Sequence, residues 1–112
     1  MRLKWMVMLV AVAADASLVA AQSARQKQPA DVAKGKTVFA QCSACHDVAS
    51  TVKKVGPGFK GLFKRAKMAN GKPMSEANVR ATIDSGGNGM PVYRQALTAA
   101  DKDALIAYLK TL

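Results

Sequence analysis

A chain of 112 residues has room for one small domain. Half of it is hydrophobic, only 5% is aromatic, and the formal net charge is +10. With two cysteines and one histidine, a zinc centre would have to draw on carboxylates.

Residues 1–21 are expected to be a cleaved signal peptide. Arg2 and Lys4 make a positive start, Trp5 to Ala14 is an apolar run of ten, and Val19-Ala20-Ala21 precedes Gln22 as a cleavage site. Asp15 interrupts the pattern. An uncleaved anchor is the competing reading, but ten clean apolar residues fall short of the roughly 20 a span requires. Export to the periplasm follows, with no stable membrane insertion after cleavage. It also disfavours nucleic acid as a partner, because export removes that substrate. The mature chain would be 91 residues with charge +9 after loss of Arg2, Lys4 and Asp15. It would contain no Trp, and its size is marginal for a self-sufficient core.

Residues 22–29 are polar and are expected to form a flexible N-terminus; the folded domain is expected over 30–112. A first helix should begin near Ala30 or Asp31, with the acid at its start. Val32, Gly35, Phe39 and Cys42 recur at spacings of 3, 4 and 3, one helical face. That helix should deliver Cys42-Ser43-Ala44-Cys45-His46 at its C-terminal end. C-x-x-C-H is the attachment signature of c-type haem. Two thiols three positions apart can add to the two vinyl groups on one edge of a porphyrin, and the adjacent imidazole then reaches the iron. A redox dithiol needs no His there, and half a zinc site would lack its remaining ligands. One haem c per chain is therefore expected. It would consume both cysteines, leave none for a disulfide, and supply apolar bulk to a small core.

Residues 47–58 read as a loop ending in Gly56-Pro57-Gly58, with Phe59, Leu62 and Phe63 on a short helical turn after it. Asn70-Gly71-Lys72-Pro73 is another turn. Ser75 suits an N-cap for a helix over Glu76–Asp84, with Val79 and Ile83 on one face. Ser85-Gly86-Gly87-Asn88-Gly89 stops it, and a loop runs through Ala96. Thr98 with Asp101 resembles a capping box for a last helix, whose buried face is marked by Leu105, Tyr108, Leu109 and Leu112. Nothing reads as a strand.

His46 is the only histidine, so two-histidine ligation by this chain is impossible. Outside the signal the methionines are Met68, Met74 and Met90. Met90 is the favoured second ligand, since glycines before it let the backbone approach a flat macrocycle and Pro91 stiffens the loop. Met68 and Met74 lie in a turn-rich basic segment without that frame. From Val48 to Ser75 there is no acid, against Lys53, Lys54, Lys60, Lys64, Arg65, Lys67 and Lys72. This segment is either a solvated face or a docking surface for an acidic redox partner.

Over residues 30–112 the chain resembles the small monohaem class I cytochromes c. The resemblance is carried by Cys42–His46, Gly89-Met90-Pro91, Gly35 with Phe39, Leu105 with Tyr108, and Gly56-Pro57. It implies an all-α fold of three main helices round one covalently bound haem, with His46 and Met90 on the iron. It implies close crossing of the first and last helices at Gly35, and a Pro57 carbonyl that fixes the His46 tautomer. It implies a monomeric one-electron carrier rather than an enzyme. Two alternatives stand beside it: a c-type subunit of a larger dehydrogenase or oxidase, and a ligand-binding haem protein with a displaceable Met. Members of mitochondrial type bond a haem propionate with a Trp that this mature chain lacks. Its Gly61–Met90 segment is also short, which implies a more compact member.

Overall fold

The computed structural model describes residues 29–112. The expected signal peptide and residues 22–28 lie outside that range. Three helices carry the fold: α1, Pro29–Phe39; α2, Glu76–Ser85; and α3, Ala99–Leu109, with a short 3-10 turn at Leu62–Lys64. Among the described residues there is no strand, only two isolated bridges, Lys67 with Pro73 and Gly87 with Met90. The expected all-α, three-helix architecture is what the chain adopts.

Helix α1 takes in Pro29, just ahead of the predicted start. A proline suits a first turn, where its missing N–H has no helical partner to lose. Asp31 lies in that first turn, beside the positive end of the helix dipole. The helix stops at Phe39, short of the cysteine motif it was expected to carry. The chain goes on in hydrogen-bonded turns instead: Cys42 N donates to Phe39 O at 2.7 Å and His46 N to Cys42 O at 3.0 Å. The nearby side chains explain the stop. Ser43 Oγ donates to Ala40 O at 2.7 Å and Gln41 Nε2 to Val38 O at 3.3 Å. These side chains supply local partners in place of the regular ladder.

The other two helices begin where their caps predict. Ser75 Oγ accepts from Asn78 N at 3.1 Å. Thr98 and Asp101 form a complete capping box, both bonds at 3.1 Å. Helix α3 is more deeply buried than one stripe allows. Ala104, Ile106 and Ala107 are buried with Leu105 and Leu109 because α3 packs against both α1 and α2. Leu112 lies past the helix end and is only half-buried.

The core joins Phe39, Leu62, Val79, Ile83, Leu97, Leu105, Ile106 and Leu109. The principal contact is α1 against α3. At their crossing a Cβ on Gly35 would run into Ala104 O and stand 2.7 Å from Tyr108 Cβ, so only glycine fits. Beside it the Phe39 and Tyr108 rings meet at 5.6 Å between centroids, tilted by 55°. Lys34 and Asp101 pair at 3.3 Å across the same helices.

The capping box has a pH signature. Hydrogen bonds from the Thr98 backbone, then its side chain, hold the Asp101 carboxyl below the usual range, with Lys34 assisting. A carboxylate depressed in the folded state stabilises above its unfolded pKa and loses that contribution as pH falls through the folded value. Thermal melts at neutral and acid pH should therefore show a smaller acid-induced fall for Asp101→Asn than for the parent.

Candidate functional site

The motif turns, the loop that follows, α2 and the 86–93 segment enclose a cavity of about 470 Å³. That size lies within the range for small-molecule and cofactor pockets. Cys42, Cys45, His46 and Met90 all line it. Leu62, Val79 and Ile83 supply apolar wall, and Lys53, Arg65 and Asn70 supply polar groups.

His46 is oriented on several sides. Its Nδ1 lies 2.9 Å from Pro57 O. A carbonyl can only accept, so Nδ1 must carry the proton, which leaves the Nε2 lone pair for another partner. The ring stacks on Phe59 at 4.2 Å between centroids, with 16° between planes. Gly56 passes directly beneath it. A Cβ there would stand 2.7 Å from Nδ1 and 3.1 Å from Nε2. Gly56 N is tied back to Cys45 O at 2.8 Å, so the loop and the motif form one unit.

Burial, and after it the neighbouring Cys45, pushes the Cys42 thiol above its ordinary value. Cys42 packs against the core. Burial also raises Tyr93, with the two cysteines adding to the effect. Tyr93 is a cavity residue that sequence reasoning passed over.

The Met90 turn is unusual in its backbone. Gly86, Gly87, Asn88 and Gly89 have φ of 59°, 114°, 52° and 88°, four successive residues in the left-handed half of backbone space. Three glycines make this accessible, and asparagine tolerates it. Gly87 and Met90 exchange two backbone hydrogen bonds of 3.0 Å, closing the turn and presenting the methionine at the cavity.

Two expectations are corrected here. Met68 also lines the cavity, and it has a frame: Met68 N donates to Lys72 O at 2.8 Å and Gly71 N to Met68 O at 2.9 Å. The Asn70-Gly71 turn signal carried that frame. Met74 packs against the core instead. Arg65 was counted with the basic surface, but it is half-buried, and its guanidinium donates to Gly58 O at 2.9 Å and Lys60 O at 2.7 Å. It braces the loop behind His46. The six lysines of that segment are exposed.

The cavity suits a flat, mainly apolar macrocycle with a polar edge. Two thiols stand beside an imidazole whose Nε2 is free to coordinate a metal. Arg65, Lys53 and Asn70 are donors of the kind that propionate groups accept from.

Comparison with known proteins agrees. Residues 30–109 match a family model described as "Cytochrome C oxidase, cbb3-type, subunit III". The chain is also 41% identical over 99 residues to cytochrome c2 of Agrobacterium tumefaciens (strain II Chrys), covering 70% of this chain and 89% of that one. Three helices without strands, a cavity at a C-x-x-C-H motif and these two matches place the chain in the small class I cytochromes c, a family of haem-based electron carriers.

Proposed function

We propose that the chain is a soluble periplasmic carrier, not an enzyme, that moves single electrons between redox proteins. The observation that carries this reading is the convergence of Cys42, Cys45, His46 and Met90 on one cavity. When bound, haem c supplies a one-electron iron couple. Cys42 and Cys45 hold it through thioethers. His46 offers Nε2 while Pro57 O retains the Nδ1 proton and Gly56 and Phe59 fix the ring plane. Met90 would offer its sulfur as the second protein ligand. A thioether paired with an imidazole would favour the reduced metal relative to two imidazoles, and ligation by both residues would leave no open position for substrate.

No helix among the described residues is long and apolar enough to cross a membrane. Lys53, Lys54, Lys60, Lys64, Lys67 and Lys72 are exposed, and Lys53 reaches the cavity rim beside the exposed Val55. Such a rim suits brief encounter with an acidic partner by a monomer. Stopped-flow oxidation by an acidic redox partner should slow steeply between about 0.01 M and 0.1 M salt, as the Debye length falls from roughly 30 Å to 10 Å. Lys→Glu changes at Lys53, Lys60 and Lys64 should slow the same second-order step and leave the potential nearly unchanged. A rate indifferent to salt and to these reversals would reduce the lysines to solubilising groups.

The description of the matching family favours a second reading, a haem subunit held within an oxidase. Co-purification with membrane partners would support it.

A further inference from the structure

Lysine is the least expected residue on the buried side of α3, yet Lys102 is only 8% exposed. It stands three and four residues before Leu105 and Ile106 and seven before Leu109, among the most buried apolar residues of the chain. Its ammonium is not simply enclosed. Nζ pairs with Asp84 Oδ1 at 2.6 Å and donates to Arg94 O at 3.0 Å. Asp84 lies near the end of α2, two residues before the Gly86–Met90 turn, and Arg94 follows Met90 by four. One side chain from α3 thus grips the chain on both sides of Met90.

The neighbouring backbone bonds outline what that grip encloses. Gly86 N donates to Thr82 O at 2.8 Å, and Tyr93 N to Ile83 O at 3.1 Å. They close the base of a loop but do not attach it to α3. Residues 87–89 are exposed, and a Cβ at Gly87 or Gly89 would meet nothing. The tip is therefore held by little of its own packing, and the position of Met90 depends on its base.

A methionine at 102 would fill similar space without desolvating a charge. Replacing both members of a buried ion pair by apolar groups is often neutral for global stability, whereas removing one leaves the other uncompensated. The gain from a lysine here is in geometry. It fixes the separation and angle of two chain segments through an ion pair and a charge-assisted hydrogen bond. Lys102 also acts first on Asp84, holding its carboxyl below the ordinary range, with Arg94 and Arg80 adding to the effect.

We propose that Lys102, through Asp84 and the Arg94 carbonyl, is a positioning residue that holds the Met90 loop closed and so limits how often the sixth ligand position opens. The proposal rests on the reading of Met90 as that ligand, and its test separates the two.

The test is carbon monoxide combination with the reduced, haem-loaded chain, followed by stopped flow alongside thermal melting. Carbon monoxide reads only the open fraction of the sixth position. Lys102→Met and Asp84→Asn should each raise the combination rate about tenfold, an increase in opening equivalent to about 1.4 kcal/mol. Each single change leaves its former partner without a counter-charge, so both melting temperatures should fall as well. Lys102→Met combined with Asp84→Leu removes both charges and should keep the raised rate with a melting temperature nearer the parent's. Arg80→Ala breaks the ion pair of Arg80 with Asp103, which also joins α2 to α3 but does not touch the loop. Arg80 is the weakest of the charges acting on Asp84, after Lys102 and Arg94, so this variant should leave the rate close to the parent value. Met90→Ala sets the fully open limit.

If Met90→Ala binds carbon monoxide no faster than the parent, the ligand reading fails. If it binds fast while both Lys102→Met and Asp84→Asn behave as the parent, ligation stands and the positioning role is overturned. An equal rise in Arg80→Ala also overturns it, since any loosening of α2 on α3 would then suffice. Asp84→Asn preserves the side-chain shape and carries the test should Lys102→Met fail to fold.

Discussion

Gly35→Val should lower the stability of the haem-loaded protein by roughly 1–3 kcal/mol, the usual range for overpacking, and nearer its upper end. The reason is what the new methyl groups would meet. The first carbon alone runs into Ala104 O and approaches the Ala104 carbonyl carbon to 2.7 Å. Those are backbone atoms inside α3, which cannot turn aside as the end of a side chain can. The two helices must separate. Separation opens the Phe39–Tyr108 contact, and it draws Phe39 away from Phe59, whose ring lies 6.1 Å away and itself stacks on His46. For a domain of this size each kcal/mol corresponds to about 4–8 °C in melting temperature. Calorimetry on the parent, Gly35→Ala and Gly35→Val should show a graded loss. An unchanged melting temperature for Gly35→Val would mean that α1 and α3 do not cross there.

Met90→Ala should abolish the long-wavelength sulfur-to-iron absorption band of the oxidised protein, admit carbon monoxide to the reduced protein, and lower the reduction potential. The sign of the potential change follows from the ligand. A thioether stabilises the reduced iron, and alanine cannot replace it. Truncating the side chain leaves the turn intact, because Gly87 and Met90 hold each other through backbone atoms alone. The effect should thus fall on ligation more than on folding. Met68→Ala is the necessary control, since Met68 shares the cavity wall. Loss of the band in Met68→Ala but not in Met90→Ala would assign the sulfur to Met68. Met74→Ala should leave the band untouched, as Met74 does not line the cavity.

What was legible in the chain was what local chemistry decides. Ser75, and Thr98 with Asp101, announce helix starts because a cap is written within four residues. Gly35 and Phe39 shared a helical face by their spacing, and their close crossing with the last helix was implied by the family resemblance; the glycines before Met90 announced a turn that other residues resist. The misses share a cause as well. Arg65 and Lys102 look like surface charge until the chain folds, because their partners are the Gly58 and Lys60 carbonyls in one case and Asp84 and the Arg94 carbonyl in the other. A hint for Lys102 was present: it shares the helical stripe of Leu105 and Leu109, where a charge requires a partner. The early end of α1 depended on Gln41 and Ser43 side chains competing for helical carbonyls, which periodicity does not register. Tyr93 and Phe59 reach the cavity by tertiary packing alone.

The account centres on a six-coordinate haem c held by this chain's own thiols, imidazole and thioether. The absorption spectrum of the reduced protein, recorded before and after carbon monoxide is admitted, tests this most directly. The account predicts the bands of a thioether-linked, low-spin haem that respond to the gas only slowly, because Met90 keeps its place. Bands of a haem without thioether links, or a prompt shift under carbon monoxide, would contradict it.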